Sequence, residues 1–235
     1  DSYRLVLDDG VTVLAGPNAA GKTNLIEALQ LLTSGASFRH PTAAELVHDG
    51  VGSCRVQLRL EGDGRVLDMG LNVEDGKRSF SRNGKKCSAA GVRGVLPSVL
   101  FCPDHLDMVK RGASVRRAAL DDFGVQLSAR YADLASAYGR CVTQRNALLK
   151  ESWCCREMLG AWNESIARAG SALLVHRLAL LDRLAGHVRD AYGQVASGET
   201  AHVSYVSTLG DLPQTDDREE LKGWAYEHML AALDE

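Results

Sequence analysis

The sequence predicts an α/β fold with an antiparallel β-meander, followed by a mainly α-helical lobe. Three observations lead to this prediction. Apolar and polar residues alternate over much of the stretch 54–73, which is the period of half-buried strands. From about residue 113 onward the apolar residues recur at helical spacing instead. A glycine-containing loop at 16–23 follows an apolar run and precedes a helical pattern, as in a strand-to-helix connection.

Length and composition are those of a globular protein of one or two domains. The chain has 235 residues, of which 45% are hydrophobic and 24% are charged, close to the averages for such proteins. Its apolar runs are only a few residues long, so neither a membrane span nor a membrane partner is expected. No secretory signal is recognisable, and the six cysteines lack zinc-site spacing. We therefore expect a cytoplasmic protein with free thiols, including the adjacent pair Cys154 and Cys155.

The first predicted elements are a short hairpin and a helix. Leu5 and Leu7 predict one strand and the run 11–15 a second, on either side of a turn at Asp8-Asp9-Gly10. Apolar residues at helical spacing predict a helix over 22–32, and Gly35 is a suitable stop.

The β-meander is predicted from three alternating stretches. Two of them, at 54–60 and 67–73, flank a Gly-Asp-Gly turn. A third, around Phe80, leads into Asn83-Gly84, the dipeptide that best fits a two-residue hairpin turn. The apolar run 99–101 predicts one more buried strand.

Helices are predicted for the second half. Ser114 is expected to cap a helix at 115–123, and a second helix is expected over 127–149. Apolar residues in alternating steps of three and four between 174 and 195 predict a longer helix that packs on another helix. We divide the chain into an α/β lobe at 1–112, a helical lobe at 113–210 and an acidic segment at 211–235.

The loop at 16–23 matches the phosphate-binding pattern G-x-x-x-x-G-K-[ST]. Its residues are Gly16, Pro17, Asn18, Ala19, Ala20, Gly21, Lys22 and Thr23. The glycines allow backbone N–H groups to point at phosphate oxygens, and the start of the next helix favours negative charge. Lys22 is expected to reach the β- and γ-phosphates of ATP, and Thr23 to place its hydroxyl on Mg²⁺. Asn24 completes the predicted nucleotide-binding set. The α/β lobe is therefore expected to be the ATP-binding lobe.

The order of elements narrows the class of P-loop protein. No Asn-Lys-x-Asp motif for guanine recognition occurs, which argues against a GTPase. The succession of strand, P-loop, helix, meander and helical lobe resembles the head domain of ABC-type and SMC-type ATPases. The fold class predicted is therefore a P-loop NTPase of the ABC/SMC-head type.

Within that class the chain resembles the RecF family of bacterial recombination and repair proteins, as their N-terminal portion. The resemblance rests on the segments 16–29, 37–39, 99–110, 116–121 and 144–150, in the family's order. It implies ATP-dependent dimerisation, DNA binding at single-strand gaps and in replication restart, and cooperation with RecR and RecO. It also implies a place in the DNA-damage (SOS) response and a nucleoid-associated location in the cytoplasm.

Two motifs of such ATPases are missing. Neither a signature segment like Ser-x-Gly-Gln nor a Walker B strand is found; Leu178–Asp182 fits a loose Walker B pattern, but its spacing favours a helix. We expect a fragment without the second half of its ATPase core, and assign it no catalytic residue. Whether it is an enzyme stays open: the resemblance implies a weak DNA-dependent ATPase for the intact protein, and no hydrolysis by the fragment.

Basic residues are concentrated in the middle of the chain. The stretch 77–117 holds ten Lys and Arg residues against two acids, whereas 211–235 holds eight acids against two basic residues. The candidate DNA contacts are Lys77, Arg78, Arg82, Lys85, Lys86, Arg116 and Arg117. Aromatic residues are sparse there, which favours contacts to the backbone of duplex or gapped DNA over base stacking. The alternatives are an edge of the meander protected by its cations and, for Arg116 and Arg117, ion pairs with the acidic segment.

Two other functions remain open. One is an SMC-type head with a structural role in chromosome organisation, which requires long coiled-coil arms. We expect the helices to be too short for such arms and to be interrupted by four glycines, at 160, 170, 186 and 193. The other is an unrelated P-loop kinase, which a purely parallel core sheet would favour over a meander.

Overall fold

The structure is a computed structural model that describes residues 2–7, 9–62, 64–151 and 156–234. It divides into two compact units, Asp1–Leu100 and Phe101–Glu235. The lobe boundary suggested by the sequence near residue 112 stays a prediction. Of the cysteines, Cys154 and Cys155 lie outside the described residues, and Cys54, Cys87, Cys102 and Cys141 are free thiols. No helix within the described ranges is both long and apolar enough to cross a membrane.

The first unit contains the predicted β-meander. Four antiparallel strands follow one another in the order β1 (Ser53–Gly62), β2 (Arg65–Glu74), β3 (Lys77–Arg82) and β4 (Lys85–Cys87). The turn between β3 and β4 is the predicted one, because Asn83 and Gly84 have φ values of 48° and 74°. Two consecutive residues in this left-handed region give the strands the twist that a tight hairpin needs.

One face of the sheet packs on the helix that follows the P-loop. Helix α1 (Lys22–Thr33) contacts β1 and β2, and its bounds confirm the predicted helix and its end before Gly35. A short helix, α2 (Ala89–Val92), and a 3-10 turn (Ala44–Leu46) complete the unit. The buried core consists of Leu31, Leu32, Met69, Leu71, Val73, Phe80 and Val92.

Three predicted strands are absent from the described residues. Neither 2–7, 9–15 nor 99–101 forms a strand, so the predicted N-terminal hairpin and the strand before Pro103 are wrong. The apolar side chains in these segments are exposed, with Val11 at 93%, Val13 at 80% and Phe101 at 77%. Alternation marks a sequence that fits a pleated surface, but a strand forms only where a neighbour supplies its hydrogen bonds.

The second unit is helical, as predicted. After a 3-10 turn (Pro103–Leu106) come α3 (Asp107–Lys110), α4 (Ala113–Leu127), α5 (Ala129–Leu148), α6 (Arg156–Val195) and α7 (Arg218–Asp234). Helix α6 packs against α5 and α7, which confirms the predicted packing of one helix on another. Ser114 does not cap α4, because that helix begins one residue earlier with Gly112 at the cap.

Helix α6 is continuous over 40 residues. The expectation that glycines interrupt the helices is therefore wrong for Gly160, Gly170, Gly186 and Gly193. A single glycine lowers helix stability by only about 1 kcal/mol relative to alanine, and packing of α6 on its neighbours offsets that cost. The segment 178–182 lies within α6, so its interpretation as helix and not as a Walker B strand is confirmed.

Candidate nucleotide-binding site

The loop at 16–23 leads directly into α1. Gly21 is the residue before the helix and has φ 86°, and Ala19 has φ 65°, so both are in the left-handed region. Glycine adopts this conformation without the steric cost that a side chain brings. The carbonyl of Gly21 accepts the first helical hydrogen bond, from the N–H of Leu25 at 3.1 Å. The backbone therefore turns sharply just where the free N–H groups of the first helical turn begin.

Lys22 folds back over the loop that precedes it. Its Nζ donates to the carbonyl oxygen of Gly16 at 2.8 Å and to that of Pro17 at 2.6 Å. The ammonium group is thus held against the loop by two exposed neutral acceptors. A triphosphate is a far stronger partner for it, because hydrogen bonds between charged groups are roughly twice as strong as neutral ones.

The rest of the predicted set is accessible to a ligand. Thr23 and Asn24 are exposed in the first turn of α1, and residues 16–21 are exposed as well. Exposed loop amides, a helix N-terminus, a lysine and a threonine hydroxyl are the groups that hold a nucleotide triphosphate with Mg²⁺ in P-loops. The residues present therefore fit Mg-ATP: the amides and Lys22 would hold phosphate oxygens, and Thr23 would be a ligand of the metal.

A buried carboxylate organises the side of α1 next to the loop. The side chain of Glu27 is 9% exposed and accepts hydrogen bonds from Ser37 Oγ and from Arg39 Nη1, the latter at 3.1 Å. The same Nη1 donates to Asn24 Oδ1 at 3.1 Å. Arg39 is thereby fixed beside the P-loop while its side chain keeps 45% exposure.

Arg39 is a residue of this site that no local sequence pattern singles out. The segment 37–39 entered only as part of the resemblance, although one signal was available. Glu27 stands between apolar residues of α1, and an acid on the buried face of a helix needs a partner. Next to this pair is a cleft of about 340 Å³, which Glu27, Arg39, His40, Pro41, Glu45 and Leu46 line.

The basic residues of the β3–β4 hairpin lie on two different faces of the sheet. Strand residues alternate between faces, and Phe80 and Cys87 point into the core. Arg78, Arg82 and Lys85 share that inner side, and Lys77 and Lys86 lie on the outer side. The guanidinium of Arg78 also donates to the carbonyl of Pro41. The hairpin therefore does not present its five cations as one surface.

Arg116 and Arg117 are exposed near the start of α4. Arg116 Nη1 donates to the carbonyl oxygens of Met108 at 3.1 Å and Arg111 at 3.0 Å. Among the residues that the structure describes, neither arginine forms an ion pair with the acidic segment. Within the same ranges, no cluster of three or more His, Cys, Asp or Glu side chains could hold a metal ion.

Comparisons with known proteins agree with this arrangement. The family model "AAA domain, putative AbiEii toxin, Type IV TA system" matches residues 11–80, which include the P-loop and most of the meander. Among solved structures, "Structure of the recombination mediator protein RecF-ATPrS in RecFOR pathway" superposes with a TM-score of 0.83 and 25% sequence identity. It matches 93% of this chain and 60% of that chain.

Three similar proteins are each named "DNA replication and repair protein RecF". The protein of Arthrobacter sp. (strain FB24) is 35% identical over 90% of this chain and 55% of its own length. That of Streptomyces avermitilis is 32% identical over 97% and 63%, and that of Acidothermus cellulolyticus is 35% identical over 99% and 65%. The chain thus spans between about half and two thirds of these relatives.

A P-loop that opens a helix, packed against an antiparallel meander and accompanied by a helical unit, defines the head of an ABC-type ATPase. Within this class, the chain is similar over nearly its whole length to part of the proteins named RecF, at about 35% identity.

Proposed function

We propose that this chain binds Mg-ATP at Gly16–Thr23 as part of a protein that acts in DNA recombination and repair. The proposal depends above all on the position of the Lys22 ammonium group, which donates hydrogen bonds to the loop carbonyls of Gly16 and Pro17. Replacement of these two neutral acceptors by phosphate oxygens would keep the lysine in place and add charge-assisted bonds. Two similar solved structures are of RecF with ATPrS and of RecF with ATP, which supports the same ligand class.

Titration calorimetry with Mg-ATP tests the proposal. We expect saturable binding by the 235-residue chain and a loss of about a hundred-fold in affinity for Lys22→Ala, because charged hydrogen bonds are removed. Lys77→Ala is the matched control, since Lys77 is an exposed lysine on β3 of the same unit, and it should bind ATP as the wild type does. Equal affinities for Lys22→Ala and wild type would overturn the proposal.

We further propose that the chain binds DNA through its backbone phosphates and that hydrolysis requires residues outside this sequence. The support is the concentration of Lys and Arg in the stretch 77–117, since cations bind DNA without reading its sequence. The names of the relatives support action in replication and repair. ATP-dependent dimerisation, partners of the RecR and RecO type, a cytoplasmic location near the nucleoid and an SOS role belong to the same proposal.

Fluorescence anisotropy with a labelled duplex tests DNA binding. We expect affinity to fall as salt rises, because each neutralised phosphate releases condensed counterions. Arg116→Gln/Arg117→Gln should lower both the affinity and its salt dependence. A wild-type chain with no salt-dependent binding would contradict this part of the proposal and leave the ATP site untouched.

A further inference from the structure

The outer face of the β-meander carries an open polar cleft that has no part in the nucleotide site. Its volume is about 370 Å³. The side chains that give it its character are Arg55, Gln57, Asn72, Ser79, Ser81 and Lys86, and we call this set the outer face. Helix α1 and the apolar core cover the opposite side of the sheet, so the outer face is the side on which we look for a large ligand.

The register of the strands shapes this cleft as a trough. Gln57, Gly70, Ser81 and Lys86 stand in one row across the four strands. Arg55 lies two residues along β1 from Gln57. Strands are spaced about 4.8 Å apart, so the row spans about 14 Å. Small side chains therefore occupy the middle, and long cationic side chains stand at the two edges.

The charges on this side of the sheet are not evenly balanced. At one end, Arg59 forms a two-bonded ion pair with Asp68, with Nε–Oδ1 at 2.8 Å and Nη2–Oδ2 at 3.0 Å. At the other end, Glu74 stands opposite Lys77 in the β2–β3 register, and its Oε2 accepts a hydrogen bond from Asn72 Nδ2 at 3.4 Å. In the part of the chain that the structure describes, no acid forms an ion pair with Arg55 or Lys86. Arg55 and Lys86 thus flank the trough without an ion pair. Among the described residues, the other charged side chains of this side that form none are Glu61, Glu74 and Lys77.

The trough has the chemistry that a nucleic-acid backbone requires. The amide of Gln57 and the hydroxyl of Ser81 can donate to phosphate oxygens, as such side chains do at protein–DNA interfaces. Asn72 already donates to Glu74, and Ser79 to the carbonyl of Asn72. Phe80 is the aromatic residue among those that line the cleft, and its side chain is buried in the core, so stacking on unpaired bases has no exposed platform there. An acidic protein segment could bind the same two cations. The side chains between them are polar, however, and do not offer the apolar contacts found at the centre of protein–protein interfaces.

We propose that the outer face is the surface on which the chain holds the phosphate backbone of duplex DNA, with Arg55 and Lys86 neutralising phosphates on either side of the trough. This inference rests on the DNA binding proposed above and deepens it. It adds Arg55, which lies outside the basic stretch of the sequence, and it removes Arg82 and Lys85, which lie on the inner side of the sheet.

The alternation of the strands provides a matched experiment. The variant Arg55→Gln/Lys86→Gln loses two exposed cations from the outer face, and Arg82→Gln/Lys85→Gln loses two exposed cations from the inner side of the same sheet. Both change the net charge by the same amount. Affinity for a labelled duplex is measured by anisotropy over a range of salt concentrations, with circular dichroism to verify folding.

We expect the outer-face variant to lower the slope of log affinity against log salt by about two, and the inner-side variant to leave it unchanged. Equal losses in the two variants, or a larger loss on the inner side, would overturn the inference while DNA binding itself stands. If the wild-type chain shows no salt-dependent binding, the proposed DNA function fails and the inference fails with it.

A second pair keeps the test decisive if a double variant does not fold. Lys85 and Lys86 are neighbours in sequence on opposite faces of β4. Lys86→Glu should weaken binding at least ten-fold more than Lys85→Glu, because it places an anion beside the trough. Equal effects of the two single variants would also count against the outer face.

Discussion

Arg177 in α6 holds Asp121 in α4 through a two-bonded ion pair, with Nε–Oδ1 at 2.8 Å and Nη2–Oδ2 at 2.6 Å. The hydroxyl of Tyr131 in α5 donates to the same Oδ1 at 2.6 Å. Burial and this hydrogen bond raise the pKa of Tyr131 above its usual value. The carboxylate of Asp121 therefore links three helices of the second unit, because it lies in α4 and binds side chains of α5 and α6.

Asp121→Asn should destabilise the second unit by about 2–3 kcal/mol, because the partly buried guanidinium loses its charged partner. Urea unfolding followed by tryptophan fluorescence measures this, since Trp162 and Trp224 lie in the second unit and residues 1–100 contain no tryptophan. Lys222→Gln is the control: it breaks the exposed pair with Glu219 and should cost less than about 1 kcal/mol. Equal losses of stability in the two variants would show that the Asp121–Arg177 pair contributes no more than an exposed ion pair.

His176 gives the second unit a pH dependence. Burial is the main cause that lowers its pKa below the ordinary 6.5, and the positive charges of Arg130 and Arg218 add to it. Its ring also meets the ring of Tyr131 edge-on at 6.0 Å. Below pH 6.5 the unfolded chain takes up a proton that the folded chain resists, so the free energy of unfolding falls as pH falls.

We expect His176→Gln to lose less stability than the wild type between pH 7.5 and pH 5.5. The other titrating groups contribute equally to the pH dependence of both proteins, so the difference between the two profiles reports on His176. Urea unfolding at several pH values measures the difference. Parallel pH profiles for the two proteins would contradict the lowered pKa of His176.

Arg39 should contribute to nucleotide affinity, because Glu27 and Asn24 fix its Nη1 beside the P-loop. Arg39→Gln is expected to weaken Mg-ATP binding about ten-fold, the loss of one charge-assisted contact. Arg65→Gln, at an exposed position where β2 begins, should have no effect. If Arg39→Gln lowers the melting temperature but leaves ATP affinity intact, Arg39 serves only to satisfy Glu27.

The sequence was sufficient where structure depends on neighbours along the chain. Helix α1 and the Asn83-Gly84 turn were predicted correctly, because spacing and backbone preference are local properties. The P-loop motif is local as well. The strands predicted at 11–15 and 99–101 failed because a strand depends on a partner that is distant in sequence.

The candidate binding residues could likewise be predicted only as far as local sequence determines them. Composition shows that cations are concentrated near the β3–β4 hairpin, but only the register shows that Lys85 and Lys86 lie on opposite faces. The pairing of Arg39 with Glu27 spans a helix and a loop, and no local pattern encodes it. Contacts between distant residues therefore decide which of the candidate cations can act together.

The glycines of α6 also differ in a way that the sequence does not reveal. A Cβ at Gly170 would lie 2.7 Å from Met229 Sδ and 3.0 Å from Tyr138 Cε2, whereas one at Gly186 would meet no atom within 4 Å. Gly170 is therefore a close-packing position between α6, α5 and α7. Gly186 has no such packing role, and at this position glycine only makes the helix less stable than alanine would.

Gly170→Ala should destabilise the second unit by about 1–3 kcal/mol, because a methyl group is forced into a filled space. Gly186→Ala should stabilise it by about 0.5–1 kcal/mol, since alanine loses less entropy in a helix. Urea unfolding by tryptophan fluorescence distinguishes the two. The opposite signs are the decisive feature: helix propensity alone would make both substitutions stabilising, so a gain for Gly170→Ala would refute the tight packing of α6 at this position.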